Sequence, residues 1–146
     1  MDLIHRLLLS AFFAMVTMTG FSYAVSSAFR KLYKEPVLLT YFLKELHLTV
    51  SKPLQHLLAW TLHYLIGLGF VIGYHLLWQY RLLPLTWGVG FLLGTVSGIV
   101  GIIGWIFIFS YTKHEPKIDF KGYYIQLLLA HIIFGVTAYV AYVYLY

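Results

Sequence analysis

Charged residues divide this chain into long alternating stretches. Four apolar blocks, 7–29, 54–78, 85–111 and 123–146, run for 23 to 27 residues without a single Asp, Glu, Lys or Arg. Each is long enough, as a tilted helix, to cross a hydrocarbon core of roughly 30 Å. Pro36, Pro53, Pro84 and Pro116 all fall in connections or at block edges, so no span contains a helix breaker. The pattern predicts an all-α fold: an integral membrane four-helix bundle forming one transmembrane domain over 1–146.

The first long connection carries a pattern of its own. Pro36 to Leu48 reads PVLLTYFLKELHL, with Thr40, Lys44 and His47 at helical spacing among apolar residues. That spacing predicts an amphipathic helix over about 36–48 lying in the headgroup region as a connector. Met1 to Ser27 has the layout of a signal peptide, but its apolar run exceeds a usual h-region, so a retained first helix is expected.

Composition agrees with a lipid environment, since 61% of residues are hydrophobic and only 10% charged. With no cysteine in the chain, thiolate metal sites, disulfides and thiol nucleophiles are excluded. Charge then supplies an orientation. Arg30, Lys31, Lys34, Lys44, Lys52, Lys113, Lys117 and Lys121 lie in the two long connections, whereas Arg6 and Arg81 fall at the other end. The positive-inside bias places both connections in the cytoplasm and both termini outside it. On this reading the net charge of +5 reflects topology and contact with the lipid bilayer, and no nucleic-acid partner is expected.

Two spans share a pattern. His63, Gly67, Gly73 and Tyr74 match His131, Gly135, Ala141 and Tyr142 without a gap, and Tyr33 to Pro36 corresponds loosely to Lys113 to Pro116. The chain reads as two tandem two-helix repeats related by an axis along the membrane normal.

Polar groups inside a span are costly, which makes His63 and His131 the candidate ligand or polar pair. The simplest role is structural, with each neutral imidazole bonding a backbone carbonyl or Thr17, Thr19 or Ser97 on a neighbouring helix. The chemical alternative is a metal or haem b site, because two facing imidazoles can supply both axial ligands of a haem. Tetrahedral zinc needs more ligands than two histidines; His56, two turns before His63, is the one candidate for a third. A proton relay would need a partner acid, and no span contains one, so transport by this chain alone is not expected.

The third span carries Gly90, Gly94, Gly98, Gly101 and Gly104 at overlapping small-xxx-small spacings, a face that lets backbones approach closely. Its expected partner is the second span, through Gly69 and Gly73, with Gly67 and Gly135 as the other packing positions; a homo-oligomer is the alternative.

Two resemblances bear on function. Thr95 to Gly98 resembles the G-x-S-G nucleophile motif of rhomboid intramembrane proteases, and Ala130, His131 and Gly135 resemble the helix carrying their catalytic histidine. Thr95 replaces the first glycine of that motif, and four spans fall short of the six-helix rhomboid core, so Ser97 with His131 is a remote protease alternative. The His-x-x-x-small helices, the Glu-Pro connection and the glycine-rich third helix resemble small four-helix bacterial inner-membrane proteins of the YagU-like type, over Leu62 to His75 and Gly90 to Gly135. That resemblance implies a bacterial inner membrane and imports no activity. The expected function is a non-enzymatic scaffold or accessory subunit working with other membrane protein subunits. The alternative is a haem b- or metal-binding electron-transfer or sensing protein.

Overall fold

The computed structural model describes residues 2–46, 50–112 and 116–145, and these form five helices. They are α1 (Leu3–Phe29), α2 (Glu35–Glu45), α3 (Lys52–Gln79), α4 (Trp87–Tyr111) and α5 (Phe120–Tyr144). All but α2 are long and apolar enough to cross a membrane, which marks a multi-pass membrane protein. Their ends follow local chemistry. Asp2, Thr86 and Asp119 cap α1, α4 and α5 by accepting from backbone N–H groups, and Pro36 and Pro53 sit in the first turns of α2 and α3.

Lipid tails give apolar helices no hydrophobic reason to associate, so packing and hydrogen bonds must hold the bundle. α1 packs against α3 and α5, and α5 against α1 and α4, whereas α3 and α4 barely touch. The small-residue face of α4 therefore meets α5, not α3 as its spacing suggested. A Cβ on Gly94 would stand 2.5 Å from the His131 carbonyl oxygen, and one on Gly135 would stand 2.5 Å from the Gly94 Cα. Gly90 faces Tyr139 and Gly98 faces Leu128, both on α5.

The glycines expected to complete that contact do not. Gly69 and Gly73 face open space, and Gly67 lies under the Met15 side chain of α1. Alanine at position 69 or 73 is accordingly expected to leave the fold intact and to raise helix stability by up to about 1 kcal/mol. A lowered melting temperature for either variant would place these glycines in a contact after all.

What joins α3 to α4 is a tether. The Tyr74 hydroxyl donates to the Leu93 carbonyl at 3.1 Å and shares a 2.6 Å hydrogen bond with Ser97. At the Lys-rich end, α2 fills the gap between them. Leu38, Leu39 and Leu43 join Ala59 of α3, Trp105 of α4 and Tyr123 of α5 in one buried cluster. The predicted connector helix thus exists, but it is docked into the bundle. Thr40, expected on its polar side, is buried and donates to the Val37 carbonyl at 2.6 Å, while Lys44 is exposed. His47 and Leu48 lie outside the described residues, as do Lys113, His114 and Glu115 of the second connection.

Candidate functional site

Docking α2 has a chemical consequence. Its first residue, Glu35, lies only 2% exposed inside the bundle, so a carboxyl group from the connection enters a helix assembly whose spans carry none. Ser22 of α1 donates to Glu35 Oε1 at 3.0 Å, and Gln126 Nε2 of α5 donates to Ser22 at 2.6 Å. Glu35 Oε2, Gln126 Oε1 and the Tyr123 hydroxyl are buried without a hydrogen-bond partner among the described residues. Burial in so poor a solvent for charge pushes the Glu35 carboxyl up to about 7, although its own backbone N–H, Ser22 and the nearby Gln126 amide favour the ionised form.

Glu35 faces a cavity of about 240 Å³, and His63 and His131 line it as well. Its walls come from α1 through Met15 and Met18, from α5 through Phe134, and from the facing sides of α3 and α4. Ile66 and Val100, on α3 and α4, border it and are exposed on the lipid side, so the cavity opens laterally where those two helices fail to pack.

Both histidines are buried and oriented. His131 Nδ1 must donate to its 2.8 Å partner, the Leu127 carbonyl, because a carbonyl only accepts. His63 Nε2 shares a 3.2 Å hydrogen bond with Thr19, a link between α3 and α1 of the kind expected from residue type. A haem held by both rings would need two free ring nitrogens facing one point, and the Thr19 bond occupies His63 Nε2.

His56 does not complete the set, for it is exposed at the start of α3. The buried stripe of α3 steps back from His63 through Ala59 to Gln55, four residues at a time, and leaves His56 a turn of about 100° away from it. Among the described residues no cluster of three His, Asp or Glu groups is arranged for a metal. Ser97 is bonded to Tyr74, and His131 to Leu127, so the two do not form a nucleophile and base pair.

Two further polar contacts frame the cavity. At the Lys-rich end, Lys31 pairs with Asp119 and the Tyr33 hydroxyl donates to the same carboxylate at 3.0 Å, joining the first connection to the start of α5. The lysine bond, with the Gly122 N–H and Tyr33, holds the Asp119 carboxyl down at about 2. At the opposite end, His75 Nδ1 and the Tyr142 hydroxyl share a 2.7 Å hydrogen bond, and the Arg6 guanidinium lies 3.7 Å from the Tyr142 ring centroid.

Sequence reasoning missed Glu35, since a carboxylate amid lysines in a connection reads as a headgroup residue. Two signals pointed to it: Pro36 directly after it, marking a helix start, and the amide of Gln126 lying in an apolar span with no assigned partner. No family model, curated protein or solved structure matches this chain.

Proposed function

We propose that this multi-pass membrane protein is a non-enzymatic binding subunit, taking a small molecule from the bilayer into the cavity between α3 and α4 and serving a larger membrane assembly as an accessory or sensing component. The observation that carries this reading is a cavity of about 240 Å³, open to lipid on one side and walled by the buried carboxyl of Glu35. Sites of this kind pair apolar walls with a few placed polar groups. Glu35 Oε2 lacks a hydrogen-bond partner among the described residues, which leaves it able to accept from another molecule.

The Lys-rich connections support a cytoplasmic placement of that end, with both termini on the other side, and the YagU-like resemblance supports a bacterial inner membrane. The shared His-to-Gly spacing supports two tandem repeats whose histidines now meet at one cavity.

Gly104 lines the cavity and has open space around it, so Gly104→Leu should fill the site without straining the helix. Wild-type protein purified from native membrane is expected to carry a small molecule detectable by mass spectrometry, and partner subunits, with the small molecule lost in Gly104→Leu. An identical complement in both proteins would remove the binding role, and isolation as a lone monomer would remove the subunit role. A Soret band in the same preparation would instead establish the haem alternative at His63 and His131.

A further inference from the structure

We propose that the α3/α4 cavity selects a small lipophilic amine, bound as the ammonium with its head on the Glu35 carboxylate and its body among the aromatic walls. This rests on the cavity being a ligand site at all, and adds the class of ligand.

The donor and acceptor inventory carries the inference. Glu35 lines the cavity, and its Oε2, covered in this conformation, has no hydrogen-bond partner among the described residues. Because His131 Nδ1 donates to Leu127, its neutral ring offers Nε2 as a lone pair, and that atom lies beside Gly101, another wall residue. Among the described residues no lysine or arginine lines the cavity. The closest basic neighbours in sequence are engaged elsewhere, Lys34 over the Tyr23 ring at 4.6 Å and Lys31 with Asp119. An anionic head would therefore meet a carboxyl and a lone pair with no cation to balance it. An alcohol would gain one neutral hydrogen bond, while an ammonium gains a charge-assisted one and neutralises the buried carboxylate.

The walls fit the same ligand. Phe70, Phe134 and Trp105 present aromatic rings, which attract cations as well as apolar groups, and Met15 and Met18 add polarisable sulfur. Access runs through the opening at Ile66 and Val100, so the molecule arrives from the bilayer as the neutral amine. The proton then moves from the Glu35 carboxyl to the amine nitrogen, converting acid and amine to carboxylate and ammonium with no other reactant. The charge-assisted hydrogen bond of the resulting pair, roughly twice as strong as a neutral one, favours the transfer.

The test uses the full chain in phosphatidylcholine nanodiscs and three probes of one shape: cyclohexylmethylamine, cyclohexylmethanol and cyclohexanecarboxylate. Tryptophan fluorescence, to which the wall residue Trp105 contributes, and the melting temperature report binding. Wild type is expected to bind the amine at least about tenfold more tightly than the alcohol and not to bind the carboxylate, from the greater strength of charge-assisted bonds. Glu35→Gln should reduce the amine to the level of the alcohol, and Gly104→Leu should lose both. Equal binding of amine and alcohol to wild type, both lost in Gly104→Leu, would overturn the amine class and keep the cavity as a site. Tightest binding of the carboxylate would also overturn the class. No binding by any probe, or binding that survives Gly104→Leu, would overturn the site itself. The probe series on wild type decides the class even if a variant fails to fold.

Discussion

Relative to wild type, Glu35→Gln is expected to gain in melting temperature as pH rises from 5 to 8. The Glu35 carboxyl rises from an ordinary 4.5 to about 7 in the folded bundle, so between those values the folded state holds a proton that the unfolded chain has released. Stability contributed by that proton is complete below about 4.5 and is lost as pH climbs through about 7. Integrated over this window the loss is roughly 3 kcal/mol for a fully buried group. The amide of the variant imitates the protonated acid and cannot ionise, so the variant should exceed wild type above pH 7. Asp119 acts in the opposite sense and in another window. Its depressed carboxyl contributes stability above its usual 3.8, lost only as pH falls through about 2, and the histidines are common to both proteins, so the difference between variant and wild type isolates Glu35. A melting-temperature difference between the two proteins that does not change with pH over that range would show Glu35 to be in contact with water.

Gly135→Leu is expected to separate α4 from α5 and to cost at least the upper end of the roughly 1–3 kcal/mol typical of overpacking. The cost is high because the first side-chain carbon would meet main chain, the Gly90 carbonyl oxygen and the Gly94 Cα, which cannot rotate away. Gly90→Ala should be milder, because its nearest obstacle is the Tyr139 Cβ at 2.9 Å. The same contact positions His131, whose carbonyl oxygen faces Gly94 and whose ring faces Gly101. Melting temperature together with amide exchange in α4 and α5 checks the effect, and unchanged protection in Gly135→Leu would contradict the close approach.

The four spans were legible because charge is excluded from them by the bilayer's own energetics, and the observed ends differ from the predicted ones by at most four residues. The small face of α4 was legible too, since glycine spacing marks a face. Spacing does not say what fills that face. The short turn from α3 made it the natural neighbour, yet it is Gly135 on α5 that offers a matching absence of side chain. Thr19 as a partner of His63 followed from residue type, and His56 failed because the buried stripe of α3 steps by four. Glu35 was hidden for a different reason. A carboxylate between Lys34 and Pro36 looks solvated in one dimension, and only the docking of α2 into the bundle places it at the cavity that the histidines line.

That burial can be observed on the carboxyl group itself. Infrared difference spectra of the protein in nanodiscs, recorded through a pH titration and compared with Glu35→Gln, isolate the Glu35 C=O stretch. A protonated-carboxyl band that disappears with a midpoint near pH 7 and is missing from the variant is the expected result. A Glu35 band that titrates near 4.5, the value of a water-exposed carboxyl, would contradict the placement of this side chain inside the bundle.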